Sequence, residues 1–487
     1  MPLPRRRRLP YGMVALLIFL WGNSLWSQEA LPPELAPLID RLNATEQSIQ
    51  DVRDENQSLR LQLDQVLQSR GDLYPLAQKV EEDSRMEDGA PQEAVKLNWF
   101  DKINLRGYAQ FRYNTLTRIE PGSTRPTHPG DSSISDDQEF LIRRARLVLF
   151  GEISDHLAIY MQPDFASTPN GALDSNQFAQ IRDWYGDIFL DETQVHRFRV
   201  GQSKIPYGWE NLQSSQNRLS LDRNDAFNSA ARNERDLGIF YYWTPEWAQD
   251  TFKFIADEGL KGSGNYGVFG FGAYNGQGGS LREFNDELHL ISRLTLPLTM
   301  DNGQIVEFGI QGYTGRYVVL GSAIAPLGVG PAVIPLGTRG QPYGQDGQLD
   351  QRLGWSFNYY PQPFGLQAEY TIGRGPELNA AQTAVERGSL HGGYVMANAR
   401  WETEGWGELW PYARWQYYRG GYRSAPNAPA ATINEWNFGV EWQMRKELEL
   451  VCEYLITDRT NLNAQSTGES YEQFEGQILR FQLQLNF

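Results

Sequence analysis

Arginines recur in this sequence at even spacings: Arg106 and Arg112, Arg144 and Arg146, Arg197 and Arg199. Residues an even number apart share one face of an extended strand, so each pair would present its guanidiniums side by side. A guanidinium is a flat fork of N–H donors that matches the oxygens of a phosphate. Rings of basic side chains are one way in which pores select anions. The same phase holds Arg293, Arg352, Arg400, Arg414 and Arg480. It also holds Asp164, Asp183, Asp187, Glu307, Glu369, Glu408, Glu441, Glu449 and Glu453. The available chemistry is therefore anion binding along a wall, opposed by acids that can pair across strands. Tyr108, Tyr160, Tyr185 and Tyr242 share the phase too, and could stack sugars or simply fill space.

Catalytic patterns are missing. The chain has no G-x-S-x-G, no H-E-x-x-H, no P-loop and no paired cysteines. His128, His156, His196, His289 and His391 are scattered and read as polar loop or lumen residues. The single Cys452 rules out an internal disulfide framework and reads as a buried or lipid-facing thiol. The sequence therefore points to no enzyme, no metal and no cofactor. A formal charge of −16 argues against nucleic acid as a partner.

The elements that would position these residues are strands with two different surroundings. Hydrophobic residues make up 40% of the chain and mean hydropathy is −0.53, which excludes a bundle of membrane helices. Aromatics at 13% fit girdles at two membrane interfaces. From residue 98 onward, alternation predicts an all-β, transmembrane antiparallel barrel of about sixteen strands. Connections alternate in length: 114–139 long, 151–155 short, 166–180 long, 191–195 short, 204–234 very long. Later, 315–351 is long, 361–364 short, 374–391 long and 402–407 short. Long outer loops and short periplasmic turns are the mark of an outer-membrane barrel. Thr244, Pro245 and Glu246 form a helix start and Gly259 a stop, so 245–259 is expected as a short periplasmic helix. The chain ends on a strand with Leu479, Phe481, Leu483, Leu485 and Phe487 facing one way. Leu483, Leu485 and Phe487 are read as the signal for the barrel assembly machinery.

Before the barrel, residues 1–27 read as a signal peptide: Arg5, Arg6, Arg7 and Arg8 precede an apolar run at 13–21. Residues 34–70 carry heptads, with Leu35, Leu42, Ile49, Asn56 and Leu63 on one seam position. Leu38, Thr45, Val52, Leu59 and Val66 hold the other. A periplasmic coiled coil is expected, with Asn56 fixing its register. Residues 71–97 are the linker.

Several segments resemble the phosphate-selective porin O and P family. One runs from Phe140 through Arg143, Arg144 and Arg146 to Gly151, and on to Gln162, Pro163, Asp164 and Phe165. Another runs from Val200 through Gln202, Lys204, Pro206 and Tyr207 to Arg235, Asp236 and Gly238. Gly270, Tyr274, Asn275 and Gly276 match a later strand end. The resemblance implies a homotrimer in outer-membrane lipid, with a loop folded into the lumen and an arginine ladder carrying small anions. It places Arg144 and Arg146 on the Arg-rich strand and Lys204 at the base of the constriction loop. The expected function is passive diffusion of small hydrophilic solutes, phosphate among them. A sugar-preferring or general porin is the alternative. So is a structural tether, with the coiled coil reaching peptidoglycan.

Overall fold

The computed structural model describes residues 99–123, 134, 140–165, 179–279, 281–321, 341–460 and 473–487. The expected signal peptide, the coiled coil with Asn56 and the linker lie outside the described residues.

Sixteen antiparallel strands close into one barrel. They are β1 (Asn104–Ile119), β2 (Phe140–Ser154), β3 (Leu157–Asp164), β4 (Gln180–Phe189), β5 (His196–Lys204) and β6 (Arg235–Trp243). Then come β7 (Phe269–Tyr274), β8 (His289–Thr299), β9 (Ile305–Gly321), β10 (Gln341–Tyr359) and β11 (Phe364–Leu378). β12 (Val385–Ala399) breaks at Arg400 and resumes over Trp401–Thr403, both parts pairing with β13 (Gly407–Gly421). The last three are β14 (Ala430–Arg445), β15 (Leu448–Thr460) and β16 (Gln473–Asn486).

Closure depends on the last strand. β16 pairs with β1 in a register that sets Ala109 opposite Leu485, Phe111 opposite Leu483 and Tyr113 opposite Phe481. Their polar neighbours, Gln110 with Gln484 and Arg112 with Gln482, face inward and are buried. A one-residue slip would exchange lipid and lumen faces, so the apolar alternation fixes this register. The backbone of Phe487 continues the ladder, exchanging two hydrogen bonds with Gly107 at 2.6 and 3.0 Å. A Cβ on Gly107 would lie 2.5 Å from the Phe487 ring, so only glycine lets the terminal aromatic seat there.

Outward side chains are apolar around the ring, for example Val200, Ile239, Leu294, Ile310, Val395 and Leu483. With no open sheet edge and an apolar exterior, this is a membrane-spanning barrel. Trp99, Phe364, Trp401, Trp406 and Phe487 form an exposed aromatic girdle at the turn side, where the short connections and the barrel's two ends lie.

The helix expected at 245–259 is present as Glu246–Asp257 (α3), after two short helices in the long loop before it. Ala248, Phe252 and Ile255 bury one stripe. The cap differs from the expectation: Thr244 spends its hydroxyl on Asn265 Oδ1 at 3.0 Å, and no side chain caps the helix. The tall strands also differ. β9 to β12 run beyond the expected ends, leaving only 379–384 between β11 and β12. Above the apolar band both strand faces meet water, so the alternation fades while the backbone ladder continues.

Candidate functional site

The lumen is crossed by the loop 205–234. It contains two short helices, α1 (Trp209–Leu212) and α2 (Asp225–Asn228). Gly208 starts α1 with φ of 84°, and a Cβ there would meet the Phe227 ring at 2.8 Å. The loop is therefore folded on itself, with Tyr207, Ala226 and Phe227 in an apolar cluster that extends to Tyr313 and Tyr418 on the wall. Trp209 joins a second cluster with Ala248, Phe252 and Ile255 of α3 and Tyr360.

Charge pairing docks the loop. All four of its acids bind wall or loop arginines. Glu210 pairs with Arg414 at 3.0 Å and accepts the Asn224 N–H at 2.6 Å. Asp222 pairs with Arg480, and with Arg112 at 3.6 Å. Asp225 pairs with Arg459 at 2.7 Å. Glu234 receives Arg235 at 2.9 Å, Arg223 at 3.0 Å and Arg182 at 3.4 Å. Burial works against the charge of Glu234, but Arg223, Arg182, Arg235 and Lys204 outweigh it and hold its carboxyl well below the usual range. From the wall, Glu369 accepts the Glu210 N–H at 2.9 Å, and Arg352 donates to Ser229 Oγ at 2.7 Å.

The arginines singled out by spacing fall into distinct roles. Arg199 makes a bidentate pair with Asp187, both bonds at 2.8 Å, and lies 3.9 Å over the Tyr185 ring. Arg197 sits 3.8 Å from the same carboxylate and donates to the Asn265 carbonyl. Arg146 donates to Asp164 at 2.7 Å, and to Tyr108 and Ser215 Oγ at 2.9 Å each. Arg112 donates to Gln482 at 2.6 and 3.1 Å. Arg106 stands exposed at the turn-side mouth, over the Phe150 ring at 5.4 Å. Lys204 gives its ammonium to the Leu212 and Gln213 carbonyls at 2.7 and 2.9 Å, which makes it an anchor of the loop.

Arg144 is different. It is buried, and its bond is to a neutral group, Gln110 Oε1, at 2.8 Å. Arg143, Arg146, Arg218 and Arg112 all act on it electrostatically. Arg218, from the loop, is also buried; it donates to the Ser220 and Leu221 carbonyls at 2.8 and 2.7 Å and leaves Nη1 without a partner. Burial, and then Arg223, pulls its pKa down to about 9. Glu210, Asp222 and Glu234 act on Arg218, but each is bonded to another arginine. Among the described residues, no carboxylate forms an ion pair with Arg144 or Arg218. Arg459, which holds Asp225, is not among the arginines that even spacing singles out. Counting onward from Glu453 through Leu455 and Thr457 on the same phase would have found it.

Among the candidate sugar contacts, Tyr160 and Tyr185 stack with centroids 5.1 Å apart and planes at 10°. Tyr242 is buried beneath Arg197, and Tyr108 is held by Ser215 at 2.8 Å.

A family model described as phosphate-selective porin O and P matches residues 127–487. No curated protein sequence matches the chain. Among solved structures, OmpT, an outer membrane protein of Vibrio cholerae, aligns at 11% identity over 81% of this chain and 100% of its own, with a TM-score of 0.45. The outer membrane channel DcaP of Acinetobacter baumannii aligns at 11% identity over 79% and 97%, with a TM-score of 0.45. OmpF of Salmonella typhi aligns at 13% identity over 79% and 97%, with a TM-score of 0.49. The family match takes in every strand but β1, and the chain belongs to the phosphate-selective porin O and P family of outer-membrane channels.

Proposed function

We propose that this channel passes small hydrophilic anions, phosphate among them, past the two guanidiniums of Arg144 and Arg218. The carrying observation is that both are buried and that, among the described residues, neither has a carboxylate partner. An uncompensated charge taken out of water costs several kcal/mol. A mobile anion entering the constriction would relieve that cost, and would have to leave again for the next to enter. Elsewhere in the lumen, acids already fill this role. The experiment is the reversal potential of the purified full chain in a planar bilayer under a KCl gradient, repeated with phosphate. Anion preference, lowered by Arg144→Ala and by Arg218→Ala, supports the reading. Cation preference unchanged by both substitutions overturns it.

One observation favours a second reading. The stacked Tyr160 and Tyr185 rings, with Arg199 over the latter, offer an aromatic platform. Sugar block of the ion current at millimolar concentration, lost in Tyr160→Ala, would assign the pore to carbohydrates. We further propose a homotrimer, a periplasmic coiled coil that contacts peptidoglycan, and an assembly role for Leu483, Leu485 and Phe487.

A further inference from the structure

The outer face of the barrel carries a groove that membrane anchoring does not require. Trp355 and Tyr370 stand on one side of it, and Trp415 and Tyr417 on the other. Between them lie small outward residues, Ala368, Gly393 and Val395, so the four rings wall a depression of about 510 Å³ in the apolar band. Tyr370 also lines a second depression of about 710 Å³, whose other walls include Gln351, Arg374, Ser389 and His391. An apolar groove thus opens through one tyrosine into a depression whose walls carry polar and basic groups.

Strand register makes the polar end basic. Arg374 lies directly opposite Ser389. Arg387 and His391 flank Ser389 two residues away on the same face of β12, and His391 lies opposite Arg419 on β13. Directly opposed Cβ atoms are about 5 Å apart and next neighbours about 7 Å, so the basic groups ring one spot. Arg374, Arg387 and Arg419 are exposed, and among the described residues none has an ion pair with a carboxylate. Glu377 acts on Arg419 electrostatically without forming such a pair. The Tyr370 hydroxyl stands 3.2 Å from His391 Nδ1.

Height matters as much as charge. From the exposed Phe364 of the turn-side girdle to Arg374 is ten residues along β11. At about 3.3 Å each, on a strand tilted by about 40°, that rise is about 25 Å, the height of the apolar band. The basic ring therefore sits at the outer-leaflet interface, with the apolar groove below it in the acyl region.

We propose that this face of β10–β13 binds one phosphate-bearing lipid of the outer leaflet, its phosphate in the arginine ring around Ser389 and an acyl chain in the groove. Charge complementarity selects this occupant over a second copy of the chain. A closed homo-oligomer brings like patches towards its axis, which would set these arginines against each other.

The test is native mass spectrometry of the detergent-solubilised full chain, titrated with bis-phosphorylated lipid A. Phosphatidylethanolamine and inorganic phosphate are run in parallel. Lipid A should be retained in preference to both. Arg374→Gln with Arg419→Gln should weaken its binding about tenfold or more. Val395→Trp, which fills the groove floor, should weaken it as well, and single-channel conductance should be the same in every variant. Equal lipid A binding by all variants overturns the proposal. So does inorganic phosphate binding as tightly as lipid A, since the groove would then contribute nothing. Dissociation of an oligomer by Val395→Trp would assign the face to a second copy and overturn it too.

Discussion

The low wall of the barrel and its high wall neutralise their arginines in different ways. On the low side β3 to β7 have 8, 10, 9, 9 and 6 residues. There Arg199 and Arg197 share Asp187 on the adjacent strand, and Arg235 takes Asp183 at 2.9 Å. On the high side, β13, β15 and β16 have 15, 13 and 14 residues, and their arginines reach into the lumen. Arg414, Arg459 and Arg480 bind Glu210, Asp225 and Asp222 of the constriction loop. Arg199 and Arg197 thus stitch neighbouring strands, whereas Arg414, Arg459 and Arg480, which also reach Glu435 and Glu453 on adjacent strands, hold the body of the loop and so decide how wide the pore is; Arg235 and Arg182 hold its end, at Glu234. The same residue type serves the wall in one place and the aperture in the other.

The largest effect expected from this contrast is on conductance. Removing one member of a buried pair leaves the other uncompensated, at about 3–5 kcal/mol. On the high wall, Arg414→Ala strands Glu210, whose carboxylate also holds Asn224, and should free the loop and raise single-channel conductance severalfold. Arg199→Ala removes a pair of similar burial but should leave conductance close to that of the parent, with the cost appearing as a lower unfolding temperature. Equal conductance changes in the two variants would erase the distinction between the walls.

A smaller effect concerns selectivity. Arg146 is held by Asp164, while Arg144 two residues away pairs with no acid among the described residues. Arg146→Ala should therefore shift the reversal potential less than Arg144→Ala. Asp164→Asn should increase anion preference by releasing Arg146, by an amount similar to the loss in Arg144→Ala. Reversal potentials under one KCl gradient measure all three. A larger shift from Arg146→Ala would show that pairing does not silence a lumen arginine.

These distinctions mark where the sequence stops being informative. Alternation placed Arg112, Arg144, Arg146, Arg197 and Arg199 on the inner wall, because a strand's period is two whatever its partners are. It also predicted the short helix that restores an even strand count, through Pro245 and Gly259. It could not show which arginine goes unpaired. Arg144 and Arg146 are identical by phase, and only the arrival of Ser215, Arg218 and Asp164 from other segments separates them. The role of Lys204 was hidden for the same reason: its partners are carbonyls of the loop that follows, and their direction depends on the φ of Gly208 and the packing of Phe227.

The smallest expected effect is of pH on the docked loop. Glu234 sits where the loop rejoins β6, and its folded pKa is held below the ordinary glutamate value near 4.3. A depressed carboxylate contributes stability that is complete above its unfolded pKa and is lost as pH falls through the folded one. Both values lie below 5, so acidification from pH 7.5 to 5 should leave its pairs with Arg223 and Arg235 intact and conductance nearly constant. Glu234→Gln keeps the size but removes the charge, and should give at pH 7.5 the looser loop that the parent reaches only in stronger acid. A conductance rise in the parent with a midpoint between pH 5 and 6 would show that another carboxylate governs the dock. The loop acids that meet the high wall, Glu210, Asp222 and Asp225, would then be the ones to substitute, one at a time, until the midpoint moves.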